Sequence, residues 1–585
     1  MTRIAVIQKD RCNPIGCGNF LCIRVCPINR TGKECIIKGE DHKPIIDETL
    51  CTGCGICPNR CPFNAISIIN LPEELKQAPI HKYGKNGFHL YNLPIPLFGK
   101  VVGVLGKNGI GKSTAIKVLA GILKPNLGEL KKESSYDDLI QFFKGTEAQG
   151  FFEKIRDGKI IVSYKLQQVD LIPKTQKGKV KDLLQKVDEK QQLNEIFKLL
   201  DIENVLDNNI TEISGGELQR VAIAATVLKK ANVYIFDEPT SYLDIKQRIK
   251  VSQFIRNLAD DNTAVLVVEH DLIILDYMTD LVHLMYGKEG CYGIVSQTKA
   301  TRTGINVYLQ GYLKEENIRF RDHEIKFLER PPHKKTGMHL LTFWNNVEKT
   351  LGKFHLKAEK GEIYKHTVNG ILGENGIGKT SFVRILAHDI KADKGELDTK
   401  LSVSYKPQYL KSDSDELVMN ILKEVIQKYA IQLIRPLEVK PLFLKKLNEL
   451  SGGELQRVSI ALCLSKQADL YLLDEPSAYL DVEQRLIVSK VLKEFVEHKG
   501  VSALIVDHDL LFIDYLSDHL IVFDGTPAIQ GEVHGPFSME NGMNKFLADL
   551  NITMRRDPES HRPRVNKLNS QMDRKQKAEN KLYYS

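Results

Sequence analysis

No apolar run in the 585 residues approaches the ~18 that crossing a bilayer requires. The opening MTRIAVIQKD also lacks the apolar centre of a secretory signal. These absences lead us to expect a cytoplasmic protein. Cysteine is scarce over most of the chain, since nine of the eleven lie before residue 62. In a reducing compartment that clustering means metal ligation, not disulfides. Acidic residues thin out at the other end. From Arg555 onward nine Lys/Arg face four Asp/Glu, a net +5 of the chain's +8. Such an end is by default a solvated tail, and otherwise a polyanion contact. Overall composition is that of an ordinary globular protein. The length implies several domains, on a scale of about 150 residues each.

What is present is one stretch carried twice. GKNGIGKST (Gly106, Lys107, Asn108, Gly109, Gly111, Lys112, Ser113, Thr114) and GENGIGKTS (Gly373, Glu374, Asn375, Gly376, Gly378, Lys379, Thr380, Ser381) both fit G-x-x-x-x-G-K-[ST]. Each follows a short apolar run and opens a helix-like pattern, the context that identifies a phosphate-binding loop. The glycines let backbone N–H groups curl around phosphate oxygens, and the helix N-terminus adds its positive dipole end. Lys112 and Lys379 are placed to reach the β- and γ-phosphates, and Ser113 and Thr380 to give a hydroxyl to Mg²⁺. An aromatic about 25 residues before the loop lysine either stacks on adenine or is core, and Tyr83 and Phe88 are the candidates.

Beyond each loop the apolar runs are short and unbroken, as in parallel strands covered on both faces. VYIFDEP and YLLDEP end such strands in Asp237–Glu238 and Asp474–Glu475. The aspartates are expected to hold Mg²⁺ through water and the glutamates to polarise the attacking water, in chemistry that is mainly positioning and charge stabilisation. ISGGELQR (Ser214, Gly215, Gly216) and LSGGELQR (Ser451, Gly452, Gly453) resemble the signature motif of ATP-binding cassette (ABC) proteins. Gln167 and Gln408 resemble that family's Q-loop glutamine, a contact of Mg²⁺ and water. SYLD at 241–244 resembles its D-loop, and His270 and His508 its switch histidine. Ser214 and Ser451 stand 237 residues apart, as do Asp237 and Asp474, and the histidines stand 238 apart. So steady an offset means a duplicated domain. Lysine to Q-loop is 55 residues in the first copy against 29 in the second. The extra residues, around 131–159, read as a helix–loop–helix. It is either an inconsequential surface insertion or, because Phe142, Phe143, Phe151 and Phe152 look exposed, a docking element.

Ahead of the cassettes stand two cysteine strings. Cys51, Cys54, Cys57 and Cys61-Pro62 form C-x2-C-x2-C-x3-C-P, the ferredoxin run whose fourth cysteine serves the other cluster. The first string, Cys12, Cys17, Cys22 and Cys26-Pro27, is more widely spaced. Crossing the fourth ligands gives one site of Cys12, Cys17, Cys22 and Cys61 and another of Cys51, Cys54, Cys57 and Cys26, each suited to a [4Fe–4S] cluster. Cys35 is left over as a non-ligand. Structural zinc is the competing reading, though paired knuckles are its usual form. A rigid contact domain stapled by clusters is favoured over an electron carrier.

Taken together the chain resembles the E subfamily of ABC proteins, the ribosome-recycling or RNase L inhibitor family. The resemblance implies an α/β protein with two ABC-type P-loop domains preceded by a small ferredoxin-like α+β domain. Its parts are an iron–sulfur domain at 1–74, a first cassette at 75–300, a hinge at 301–332 carrying basic residues up to Arg330, a second cassette at 333–535, and a basic hinge or tail at 536–585. It implies an ATPase using Mg²⁺ that splits post-termination or stalled ribosomes into subunits. The partners implied are the ribosome, a release factor or its stalled-ribosome paralogue, and afterwards the small subunit. It further implies a monomer in which the signature at Ser451 completes the site of Lys112 and Glu238, and that at Ser214 the site of Lys379 and Glu475. Rival readings are a transporter ATPase, a DNA-repair ATPase, for whose coiled coil 55 residues leave no room, and a scaffold that uses ATP as a switch. Intact Glu238 and Glu475 speak against the scaffold.

Overall fold

The computed structural model describes residues 3–70, 78–327, 339–398, 401–408 and 414–584. By contacts it forms two compact units. One is Met1–Pro239 with Ile255–Glu269 and Thr279–His323; the other is Thr240–Phe254 with His270–Met278 and Glu324–Ser585. The expected boundaries at 74/75 and 332/333, together with Arg330, lie outside the described residues.

The first unit opens with a small α+β head. Strands Arg3–Ile7 and Ile66–Asn70 pair antiparallel, and Ile36–Lys38 pairs with Pro44–Ile46. Two short helices are each punctuated by the cysteine strings. Leu21–Val25 contains Cys22 and ends at Cys26, where Pro27 starts a new turn. Ile56–Arg60 contains Cys57 and ends at Cys61. Asn86 ties this head to the first cassette: its carbonyl accepts from Ile7 N at 2.8 Å, and its side chain exchanges bonds with Ile46 at 2.8 and 3.0 Å. Gln8 Nε2 donates to Glu289 O at 2.9 Å, while the next residue, Gly290, donates its amide to Gly109 O of the phosphate loop at 2.9 Å.

An eight-stranded sheet forms the centre of that cassette. Its parallel part runs Leu281–Lys288, Val101–Leu105, Ala264–Val268, Val233–Asp237, Val162–Lys165. Val101–Leu105, Ala264–Val268 and Val233–Asp237 are buried at every position, because helices cover both faces. The order sets the phosphate-loop strand one strand away from the strand ending in Asp237, and their carboxyl ends share one edge, where ligands bind in open α/β sheets.

The insertion is a helical hairpin, Tyr136–Phe142 and Glu147–Arg156, the first helix started by a capping box between Ser135 and Asp138. Its aromatics are not an exposed docking face. Phe143, Phe151 and Phe152 are buried in the cassette core, with Phe142 packed against it. The rings of Phe143 and Phe152 stack at 5.7 Å. Helical spacing turns these rings inward, where aromatic area is removed from water.

The second unit carries a ten-stranded sheet. Its parallel part is the same: His519–Thr526, Val368–Leu372, Ser502–Val506, Leu470–Asp474, Val403–Lys406. The chain's single tryptophan, Trp344, is fully buried here, edge-on to Phe382 at 5.2 Å. Gly361 is required beside it, since a Cβ there would stand 2.1 Å from the indole.

Two expected linkers are folded. Within 301–327 lie the helix Thr301–Gln310 and a small ladder of Tyr312–Leu313 with Ile318–Arg319. Arg321 is buried, donating to Tyr308 O at 2.9 Å. Strand Gln530–Ser538 runs across the expected limit at 535. The basic end is an ordered element of strands Met554–Arg556 and Pro563–Val565 and helix Gln571–Ala578. Its charges are absorbed by carboxylates distant in sequence. Arg562, fully buried, and Arg564 both grip Asp276, at 2.9 Å and at 2.6 and 3.0 Å. Tyr583 and Tyr584 donate to Asp514, the latter at 2.9 Å. Asp276 and Asp514 each lie six residues beyond a switch histidine. This end is therefore not a solvated tail.

Candidate functional site

Each phosphate loop wraps its own lysine. Lys112 Nζ donates to Gly106 O at 2.8 Å, Lys107 O at 2.6 Å and Asn108 Oδ1 at 3.4 Å. Lys379 Nζ donates to Gly373 O at 2.9 Å and Glu374 O at 2.5 Å. The helices Lys112–Leu119 and Lys379–Leu386 begin at Gly111 and Gly378, with φ of 90° and 91°. A side chain there is excluded twice over, by the left-handed backbone and by Phe88 and Phe354, whose rings would stand 2.6 and 2.8 Å from an added Cβ. Phe88 thus lies over the loop, and Phe354, missed in the sequence, holds the matching place. Tyr83 is exposed, its hydroxyl 3.3 Å from Thr114 Oγ1.

The carboxylates stand beside the loops. Thr380 Oγ1 donates to Asp474 Oδ2 at 2.8 Å, and Tyr164 OH to Asp237 Oδ2 at 3.3 Å. Burial raises both aspartates above the ordinary carboxylate range, and raises Glu475 likewise, with Asp474 as the second cause. A bound divalent cation opposes that penalty. Gln167 Nε2 and Gln408 Nε2 each donate to the neighbouring glutamate, Glu238 or Glu475, at 2.7 Å. His508 Nε2 lies 3.7 Å from Glu475 Oε1. Burial, and then Lys379 and Arg248, hold its pKa far down, so it is neutral. Both its ring nitrogens are buried without a hydrogen-bond partner, a state that a phosphate oxygen or water at the site would relieve. Burial lowers Lys379 to about 8. The donor set therefore fits a magnesium triphosphate. His270 is buried at the matching place in its own sequence.

Ser214 and Ser451 cap the helices Gly215–Val227 and Gly452–Ser465 through reciprocal bonds with Glu217 and Glu454. Gly215, Gly216, Gly452 and Gly453 form the first turns, presenting N–H groups suited to an anion. Asp244 closes the expected SYLD stretch, whereas Lys246, Arg248 and Arg485 were not legible as motifs. Asp244 Oδ2 accepts from Asn375 N at 3.0 Å, and Lys246 pairs with Glu374 at 2.7 Å. This is why 240–254 group with the second unit. Arg248–Asp271 at 3.0 Å and Arg485–Asp509 at 2.6 Å brace the segments after the switch histidines. Their shared signal was the repeat of LD-x-x-Q-R and HD in both copies.

The head's eight predicted ligands separate into two cavities. One is lined by Cys26, Cys51, Cys54 and Cys57, and the other by Cys12, Cys17, Cys22 and Cys61. Four sulfurs around an otherwise apolar void is a donor chemistry that fits a [4Fe–4S] cluster. Burial, reinforced by neighbouring cysteines, pushes Cys22 to about 11 and Cys57 to about 12. Cys35 also lines the first cavity, with its thiol raised to about 12.

Duplicated phosphate loops, carboxylate pairs and signature helices on matching sheets define a twin-cassette ATPase of the ABC class with an iron–sulfur head. The ABC transporter family model matches residues 97–241 and 356–478. A possible Fer4-like domain in RNase L inhibitor matches 2–34, and a 4Fe-4S binding domain matches 44–67. The chain belongs to the E family of ABC proteins, the RNase L inhibitor family. ABC transporter E family member 1 of Arabidopsis thaliana is 44% identical, over 100% of this chain and 99% of its own. Among solved structures, ABCE1 in a model of ribosome-bound archaeal Pelota and ABCE1 is 52% identical, with a TM-score of 0.94 over 100% of this chain and 99% of that one. An archaeal ribosome recycling factor, aABCE1, in complex with the ribosomal stalk protein aP1, is 50% identical, with a TM-score of 0.83 over 88% of this chain and 100% of that one.

Proposed function

We propose that this chain is a cytoplasmic, ATP-driven ribosome recycling factor. It separates post-termination or stalled ribosomes into subunits, acting with a release factor or that factor's stalled-ribosome paralogue, and stays for a time with the small subunit. The observation that carries the reading is the end-to-end likeness to the ABCE1 of the ribosome-bound Pelota model. It joins one head and two cassettes in a single chain. In this reading Glu238 and Glu475 polarise the attacking water, with His270 and His508 beside them. Lys112 and Lys379 hold the phosphates. Ser113, Thr380, Gln167, Gln408, Asp237 and Asp474 serve Mg²⁺. ATP bound in both cassettes favours their closure, and hydrolysis releases it, since a ligand shifts only an equilibrium whose states it binds unequally. Two [4Fe–4S] clusters, one per cavity, keep the head rigid.

The test is sedimentation of purified ribosomes through a sucrose gradient with this protein, a release factor and ATP. Free subunits are expected with the native chain. They should be absent when Glu238→Gln and Glu475→Gln are combined. Intact ribosomes in every condition would overturn the assignment.

A further inference from the structure

Both catalytic-candidate glutamates are held in a backbone conformation that only glycine adopts readily. Glu238 has φ of 48° and Glu475 of 46°. Such a residue persists only where its surroundings over-determine it. The surroundings here are four partner groups in each copy. The Glu238 amide donates to Val268 O at 2.9 Å, and its carbonyl accepts from Gln219 Nε2 at 2.7 Å. Its carboxylate accepts from Gln167. The fourth partner is a buried cation, Lys165, whose Nζ donates to Asp237 O at 2.9 Å and Glu238 O at 3.2 Å. In the second copy the Glu475 amide donates to Val506 O at 2.8 Å, Gln456 Nε2 donates to Glu475 O at 2.7 Å and Gln408 Nε2 to its carboxylate, and Lys406 Nζ donates to Asp474 O at 2.8 Å and to Pro407 O at 3.1 Å, reaching the carbonyl before the glutamate but not the glutamate's own.

Lys165 and Lys406 are each 2% exposed. They stand two residues before the Q-loop glutamines, in SYKLQ and SYKPQ. One strand end therefore grips the same glutamate stretch twice, by the lysine at the backbone and by the glutamine at the carboxylate. Burying an ammonium is costly unless its protons are all used, and a duplicated cost at one place in both cassettes points to a duplicated role. The geometry points to Lys165 and Lys406 as positioning residues for ATP hydrolysis. They fix the peptide between the aspartate and the glutamate, and so hold the glutamate carboxylate where the attacking water is polarised. The inference rests on the roles proposed above for Glu238 and Glu475.

The test is the full-length chain with Lys165→Met and Lys406→Met together. Steady-state phosphate release should fall roughly 10²-fold, the scale of a misplaced catalytic group. The dissociation constant for a fluorescent ATP analogue should stay within about twofold, since a loss confined to the transition state leaves ground-state binding in place. Introduced into the Glu238→Gln, Glu475→Gln chain, the same pair should leave residual turnover unchanged, because a group that acts through the glutamates couples to them. Turnover within about twofold of native, or a loss of ATP affinity in step with turnover, or an equal fall in the glutamine background would each overturn the assignment. If the methionine pair fails to fold, Lys165→Gln with Lys406→Gln, which removes the ammonium but leaves a polar donor in its place, carries the same expected and overturning results. Native turnover in the Glu238→Gln, Glu475→Gln chain itself would instead indict the roles of the glutamates.

Discussion

At the scale of single residues, the two sites are built from groups that hold one another in place before any ligand arrives. Phe354 illustrates what this asks of an apolar side chain. Its ring closes over Gly378, at the place Phe88 occupies in the other copy, and an aromatic so placed offers a face to an adenine. Base–aromatic stacking contributes about 1–3 kcal/mol. Phe354→Ala should therefore weaken ATP binding by roughly tenfold at the second site and affect GTP in the same direction, as read by titration with a fluorescent nucleotide. Tyr83, by contrast, lies in the open, and Tyr83→Ala should matter less.

At the scale of elements, the fold was legible where chemistry demands contiguous residues and obscure where it does not. The phosphate loops, the Asp–Glu strand ends, the signature turns and the cysteine strings were read directly, because a loop that curls around phosphate or a turn that presents thiolates must keep its residues in a row. Lys165 and Arg248 were not, because each acts on a group brought near only by the fold. Phe143, Phe151 and Phe152 were misjudged because a helical pair has two faces and the sequence does not say which one meets the core. The solvated-tail alternative for the basic end failed for a related reason. Its arginines count as surplus charge until Asp276 and Asp557, both buried, are found beside them. Removing one partner of a buried pair leaves the other charge uncompensated, at about 3–5 kcal/mol. Arg562→Ala should lower the melting temperature of the chain accordingly. Asp276→Asn should lower it further, because it takes the shared carboxylate from both Arg562 and Arg564. An unchanged melt for Arg562→Ala would show that the ordered end contributes nothing to the second unit's stability.

At the scale of the molecule, three small machines share one backbone. The head is stitched to the first cassette through Asn86, and through Gln8 at the Glu289–Gly290 turn that also touches the phosphate loop at Gly109. Occupancy of that loop is thus next to a contact of the head. The head itself should contain about eight iron atoms per chain, as two [4Fe–4S] clusters require, with zinc near zero, by elemental analysis of protein purified without air. Cys57→Ser should remove about half of the iron, since Cys57 lines only one cavity, whereas Cys35→Ser should leave iron content unchanged. Loss of all iron from Cys57→Ser would mean that the two cavities do not fill independently.

Trp344 has a use that its packing does not advertise. As the sole indole of the chain, set against Phe382 on the helix that begins at Lys379, it makes intrinsic emission a private signal of the second cassette. Fluorescence excited at the red edge is expected to report loading at that site without a label, and an unchanged spectrum on titration with ATP would show that the indole does not sense it. One copy of a duplicated ATPase can in this way be timed in a single unmodified polypeptide.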